Sequence, residues 1–237
     1  MLVVDGIIGK KTWDSIVDRA NKLNILNSFP NIFRDNLLRI LADLNDIDGQ
    51  RRKIVLDALS FAYDPSGKTQ QASCPHALYV FGENLYDSSK NINYATAAKI
   101  EAAAKKYPNY FTGGRKEWML EQVKKNPKLP ASDCSGFIVG LLRKHGLVGN
   151  TFDDSANNLC SSKYSRRISK SELKPGDWVG KSGHIGMYVG GGFVVEFYGG
   201  EYGCQLTPLN LRNGWGFISK AFIKGSNWTN YNRPKYY

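Results

Sequence analysis

"SGHIGMYVGGGFVVEFYGG", residues 182–200, is where the chain changes its rhythm. Ile185, Met187 and Val189 alternate with His184, Gly186 and Tyr188, the period of two that a half-buried strand requires. The glycines at 190–192 read as a three-residue turn, and Phe193 to Phe197 returns as the partner strand. With Val189 facing Phe193, Gly186 faces Glu196, and His184 lies diagonal to Glu196 on the same face, ~7–8 Å away at Cα. A change of one residue in the turn moves Glu196 to the opposite face. A carboxylate beside an imidazole orients the ring and favours its protonated form. The spacing alone is equally compatible with a surface hairpin carrying an incidental His and Glu.

Before "LKPGDWV" (173–179) the apolar residues recur at helical intervals; after it they come in short apolar-aromatic runs separated by glycines. Helices first and strands afterwards predict an α+β fold, with helices packed on an antiparallel sheet. Trp13, Ile16, Val17 and Ala20 form one helical stripe, and Phe33, Leu37, Ile40, Leu41 and Leu44 a second. "NDIDGQ" (45–50) is a polar joint, which sets a helical segment at 1–48 apart from a domain at 49–237. A further helix starts at Arg51, with Val55, Ala58, Leu59 and Ala62 on one face, and "YATAAKIEAAAKKY" (94–107) is an alanine-rich helix.

"SDCSGFIVGLLRKHGL" (132–147) places a cysteine in the first turn of an amphipathic helix. Phe137, Ile138, Leu141 and Leu142 form its buried stripe, Asp133 is a credible cap, and Gly146 a natural terminator. Packing, metal binding, a disulfide and a nucleophile are the four roles open to Cys134. Its place among unpaired backbone N–H groups at the positive end of the helix dipole favours a thiolate and a lowered pKa. The same N–H groups could cradle an oxyanion. A nucleophile needs a base, and His145 lies about 16 Å away along the helix at 1.5 Å per residue, too far to serve. His184, with Glu196 beside it, completes a thiol, imidazole and orienting acid.

The remaining cysteines, Cys74, Cys160 and Cys204, show no CxxC spacing, so neither a zinc ribbon nor a redox pair is expected; Cys160 and Cys204 read as buried reduced thiols. "SCPH" (73–76) begins a metal pattern that nothing completes. No run reaches the ~18 apolar residues of a membrane span, and the first residues lack the pattern of a signal peptide. The net charge is +11; residues 1–48 carry six Lys/Arg against seven Asp, which leaves +12 on the rest. Such a field suits a polyanionic partner, and without an RNP motif, zinc finger or basic recognition helix an anionic cell-wall or membrane surface is favoured over nucleic acid.

Three motifs in order, "DCSGF" (133–137), "LKPGDWV" (173–179) and "GHIGMYVGGG" (183–192), resemble the NlpC-type cell-wall cysteine peptidases, a branch of the papain-like fold, over roughly residues 51–220. The resemblance implies Cys134 as nucleophile, His184 as general base and Glu196 at the third polar position, where relatives use His, Asn, Gln or an acid. It implies Tyr79, in "LYVFG", as the upstream tyrosine that positions substrate, with Asp133, Ser135 and Gly183 also against the substrate. Relatives place that tyrosine closer to the cysteine; here residues 87–130 form an insertion, read as a lid or wall of the groove. "VVE" after the glycine turn and "LRNGWGF" (211–217) resemble phage-type and clostridial members. "DGIIGKKTWDSI" (5–16) resembles the closing part of helical peptidoglycan-binding modules.

The resemblance further implies peptidoglycan as substrate, cleaved at an amide of the peptide stem with no metal or organic cofactor, by an endolysin-like monomer. Such an enzyme waits in the host cytoplasm until it reaches the wall. An N-acetylmuramoyl-L-alanine amidase on the same fold, a thiol acyl transferase, and a wall-binding protein without catalysis are the competing readings.

Overall fold

The computed structural model describes residues 12, 14, 15, 25–66 and 75–237. Among the described residues, four α-helices of ten residues or more precede the cysteine: α1 (Arg34–Asp43), α2 (Gly49–Ser60), α3 (Ala97–Lys106) and α4 (Arg115–Lys125). The cysteine helix α5 (Cys134–Lys144) and a short α6 (Ala156–Leu159) follow. β1 (Leu78–Tyr79), which follows α2, pairs in parallel with β2 (Ala131–Ser132), which ends just before the N-cap of the cysteine helix. The sheet consists of β3 (Ser165–Ile168), β4 (Trp178–Lys181), β5 (His184–Gly190), β6 (Phe193–Gly199), β7 (Gly203–Pro208) and β10 (Asn230–Pro234). A separate hairpin joins β8 (Asn213–Gly216) to β9 (Ala221–Lys224). The strand order is β3-β10-β4-β5-β6-β7, antiparallel throughout, so the architecture is α+β as the change of period predicts.

β5 and β6 lie at the centre and carry the hairpin. Its turn differs from the expected one. Gly190 already belongs to β5 and pairs with Phe193, so the loop is two residues, Gly191 and Gly192, with φ of 61° and 81°. Positive φ at both central residues is the geometry whose twist matches the flanking strands, and glycine adopts it without strain. A register shift between Tyr188 and Gly190 offsets the shorter turn by one residue, so Met187 still faces Val195. The bulge thus keeps Glu196 on the expected face. Nor is β5 half-buried: all seven of its residues are buried. Ile185, Met187 and Val189 enter the main core with the helices, whereas Tyr188 and Val194 join a second cluster with Val179 and Trp228.

The cysteine helix is held by apolar burial and by two glycines. Phe137, Ile138 and Leu141 are wholly inaccessible, each worth about 1.5–3 kcal/mol of burial. A β-carbon on Gly136 would come within 2.1 Å of the Glu83 carbonyl oxygen, and one on Gly140 within 2.7 Å of the Tyr86 nitrogen. Segment 83–86 therefore lies directly against the helix backbone, and Leu85 N–H donates to the Gly136 carbonyl. At the far end Gly146, at φ 69°, closes a Schellman motif: its N–H reaches Arg143 O and that of Leu147 reaches Leu142 O.

Helix α1 belongs to the same core. Leu37, Ile40, Leu41 and Leu44 are buried in one cluster with Val55, Phe137, Met187 and Val195. Phe33, expected on that stripe, is the residue before the helix and 40% exposed. Asp43 accepts the Gly191 N–H at 2.8 Å, and the Arg39 guanidinium lies over Phe193 at 5.1 Å, so α1 clasps the tip of the central hairpin. The insertion forms its own layer, in which Ile100, Ala103 and Met119 pack on Leu78, Val80 and Ala131. Fully buried Asp177 ties the two ends of the domain together, accepting from Arg51 on α2 and Arg233 on β10, both at 2.8 Å. The 5–16 motif and the Trp13 stripe fall almost entirely outside the described residues, as does Cys74.

Candidate active site

Cys134 is the first residue of α5, and Asp133 is its N-cap. The Asp133 carboxylate accepts from Gly136 N–H, Ser135 Oγ and Gly82 N–H at 2.8–3.0 Å, which locks the turn that presents the thiol. Two strands converge on Sγ. From β1, the Tyr79 hydroxyl approaches to 3.9 Å; from the start of β5, the Gly183 carbonyl lies 3.8 Å away and the Ile185 N–H points to the sulfur. His184 sits between the last two. Gly183, at φ 69°, makes the bend that brings this segment to the helix, and the Asn157 side-chain oxygen accepts its N–H at 2.9 Å.

Of the sequence-predicted triplet, His184 and Glu196 are bonded to each other, and the backbone on either side of His184 meets the Cys134 sulfur. His184 Nε2 is 2.7 Å from Glu196 Oε2, and both side chains are buried, Glu196 completely. The other carboxylate oxygen accepts from the Thr207 hydroxyl at 2.6 Å. The Trp228 ring stacks on the imidazole at 5.6 Å between centroids and 13° between planes. Bare Gly186 makes this cover possible, since a β-carbon there would meet both Glu196 and Trp228 at 3.2 Å.

The electrostatics differ from the expectation at two groups. Burial, followed by the neighbouring Asp133 charge, pushes the Cys134 thiol up to about 11, outweighing the Ile185, Tyr79 and Ser135 donors. Position at a helix N-terminus does not offset removal from water. His184 is likewise lowered from its ordinary value: burial comes first, Glu196 opposes it, and Arg212 and Lys181 add to it. Glu196 is held below the usual carboxylate range: burial raises it, but the Arg212 charge and the bond from His184 prevail. Both shifts favour the uncharged forms, a thiol at Cys134 and a neutral imidazole at His184. Tyr79 is raised far above its ordinary value by burial and then by Cys134, so its hydroxyl stays a donor.

A cavity of about 310 Å³ opens at the helix N-terminus, lined among others by Asp133, Ser135, Phe81, Tyr107 and the loop residues Asp153 and Asp154. Two expected substrate contacts, Asp133 and Ser135, face it; the other two, Tyr79 and Gly183, flank the thiol. Tyr107 comes from the insertion, and neighbouring Tyr110 stacks on Phe81 at 3.9 Å, so the insertion walls this cavity. His145 points elsewhere, to Asp57 at 3.1 Å, and His76 packs on Tyr63. Cys160 and Cys204 are free thiols, the first half-buried and the second buried. Among the described residues no three of His, Cys, Asp and Glu form a group able to hold a metal ion. Arg212, Thr207 and Trp228 were not individually foreseen; of these only Arg212 falls within a stretch with family resemblance, "LRNGWGF".

The NlpC/P60 family model matches residues 108–224. This chain is an NlpC/P60 family member. The matched stretch holds Cys134, His184, Glu196 and Arg212, while Tyr79 precedes it. NlpC/P60 proteins are in general cysteine peptidases that act on cell-wall peptidoglycan, and the α+β architecture agrees with the papain-like domain of that family. No curated protein and no solved structure matches the chain. No described helix of this NlpC/P60 protein is long and apolar enough to cross a membrane.

Proposed function

We propose that this protein is a peptidoglycan endopeptidase that cleaves an amide of the peptide stem, with Cys134 as nucleophile, His184 as general base and Glu196 as orienting carboxylate. The observation that carries the reading is the thiol at the head of α5, touched by the backbone on both sides of an imidazole that is itself bonded to a buried carboxylate.

Because Nε2 is committed to Glu196, Nδ1 is the nitrogen left to take a proton. His184 removes the proton from Cys134 Sγ as the sulfur attacks the amide carbonyl, so a neutral pair becomes charged only on the way to the tetrahedral intermediate. Backbone N–H at the head of α5 and the Tyr79 hydroxyl stabilise the oxyanion. The C–N bond then breaks, and the imidazolium gives its proton to the leaving amine. Water next attacks the thioester while His184 takes its proton, and the thiol is restored with release of the acid. Glu196 holds the ring in the tautomer this sequence needs. Asp133, Ser135 and the aromatic wall at Phe81 and Tyr107 bind the stem on one side of the scissile bond.

The net charge of +11 supports adsorption to an anionic wall, and a phage lysin, monomeric and held in the host until it reaches the wall, is the setting proposed. Product analysis on purified peptidoglycan tests the reading. New free amines on stem residues with wild type, and none with Cys134→Ala, are expected. Intact stems freed from muramic acid would make the enzyme an amidase instead, and no release by wild type would leave a wall-binding protein.

A further inference from the structure

Arg212 enters the site from outside the hairpin that carries His184 and Glu196. It precedes β8, and its carbonyl accepts the Gly225 N–H at 2.8 Å, closing the base of the β8–β9 hairpin. Its side chain is only 5% exposed, which is rare for an arginine unless paired. Its Nε lies 2.8 and 3.1 Å from the two Glu196 oxygens, and Nη2 lies 2.7 Å from Oε2. The same Nη2 is 2.9 Å from His184 Nε2. The guanidinium also lies over two rings, Tyr198 at 4.2 Å and Trp228, the residue stacked on the imidazole, at 5.0 Å.

We propose that Arg212 is a positioning residue of the thiol–imidazole pair, whose fixed charge and planar fork hold Glu196 ionised and decide which cation the buried carboxylate pairs with. The inference rests on the catalytic reading above and goes beyond it. Glu196 is wholly buried, and a carboxylate there needs a positive partner. Two candidates touch it: the guanidinium and a protonated His184. The Arg212 guanidinium bonds to both oxygens, so the carboxylate is neutralised without the imidazole being charged. Arg212 has no acceptor, so beside it Nε2 carries either a proton given to Glu196 or a lone pair facing Nη2. Glu196 favours the first, which leaves the Nδ1 lone pair for the thiol proton.

The charged groups around the ring are Glu196 from β6, Arg212 from the segment before β8, and Lys181 from β4, with the thiol at the head of α5. Two of the three charges are cations, so the imidazolium formed in the reaction sits in a repulsive setting. It gives its proton to the leaving amine instead of settling into an ion pair with Glu196. Without Arg212 that ion pair is the ground state, and His184 is then protonated, unable to act as a base, at pH values where the wild type works.

The test is the pH profile of kcat/KM on peptidoglycan for wild type, Arg212→Gln and Arg212→Lys, with thermal midpoints recorded alongside. Arg212→Gln should move the acid limb to higher pH, losing roughly tenfold more activity at pH 6 than at pH 8. Arg212→Lys, which keeps the charge but not the fork, should return the limb towards its wild-type position with a lower plateau. A limb that stays in place while activity falls equally at every pH makes Arg212 merely structural and overturns the proposal. If Arg212→Gln does not fold, the ring-nitrogen NMR shifts of His184 in the wild-type protein decide. A proton on Nε2 at neutral pH is expected, and one on Nδ1 overturns the proposal. Wild type that releases no product refutes the catalytic reading instead, and the NMR outcome still bears on the geometry.

Discussion

Gly136 and Glu83 are in such close register that a single added carbon would bring them into collision, at 2.1 Å from the Glu83 carbonyl oxygen. Backbone cannot retreat as a flexible side chain can, and the Asp133 N–H also donates to this same oxygen at 2.9 Å. Gly136→Ala should therefore displace the head of α5 as well as destabilise it, by about 1–3 kcal/mol or more. The expected signature is a lowered urea midpoint together with a disproportionate loss of kcat. Wild-type kinetics in a folded Gly136→Ala protein would show that the contact does not set the thiol's position.

The thiol should behave as a buried, protonated group. With its pKa raised to about 11 by burial and by Asp133, alkylation of Cys134 by iodoacetamide is expected to be slow at pH 7 and to climb towards alkaline pH. Mass mapping of the modified cysteine reads this directly. A fast, pH-independent reaction between pH 6 and 8 would reveal a resting thiolate and contradict the neutral pair.

Acid should weaken both activity and stability. His184 accepts a proton only above its own pKa, which lies below the ordinary 6.5, so the acid limb of kcat/KM is expected below pH 6.5. For stability the unfolded chain binds, below 6.5, a proton that the folded ring refuses, so the contribution of His184 is complete above 6.5 and is lost as pH falls through the folded value. Glu196, lowered by Arg212 and His184 against its burial, acts with the same sign below the ordinary carboxylate value of 4.5. Urea midpoints at pH 7.5, 5.5 and 4 should decline in that order; a flat or rising series would sink the assignment.

Both Glu196→Ala and Glu196→Gln leave the buried Arg212 charge without its counter-ion, but Glu196→Gln keeps the volume and an acceptor oxygen for the guanidinium. The alanine variant should lose about 3–5 kcal/mol of stability. Glu196→Gln should stay folded and lose on the order of 10²-fold in kcat. Equal kcat for Glu196→Gln and wild type would remove the carboxylate from the mechanism.

Asp177 gives a control far from the thiol. Its carboxylate is wholly buried between Arg51 on α2 and Arg233 on β10, elements that do not carry the thiol, the imidazole or Glu196. Asp177→Ala is expected to cost about 3–5 kcal/mol while kcat below the melting temperature is unchanged. A large fall in kcat at full folding would mean that the domain ends and the site are coupled.

The sequence carried the periodic parts of this picture. The stripe Phe137, Ile138, Leu141, Leu142 and the cap at Asp133 located α5, and the alternation at 184–197 located the central hairpin, because both are written at intervals of a few residues. The face of Glu196 was also legible, although by an argument that needed two offsetting changes: a turn one residue shorter and a bulge next to Gly190. Three consecutive glycines tolerate either turn length, so local residues could not choose between them. Arg212 and Trp228 left no such trace, since their contacts are with residues distant in sequence and neither belongs to a repeat. The signs of the Cys134 and His184 shifts were hidden for a related reason. Helix position and a neighbouring carboxylate can be read locally, whereas burial is contributed by strands and rings from distant parts of the chain.

The grip of α1 on the hairpin tip has a practical consequence for anyone recombining this protein with other wall-targeting segments. The polar joint at 45–50 looks like a natural splice point, yet a cut there would strip Asp43 from Gly191, Arg39 from Phe193, and six buried leucine or isoleucine side chains from the shared core. The transplantable unit starts ahead of Arg34. Chimeras joined upstream of that residue should inherit a working hairpin, and those joined at the joint should inherit an exposed apolar face and a tip with nothing to hold it.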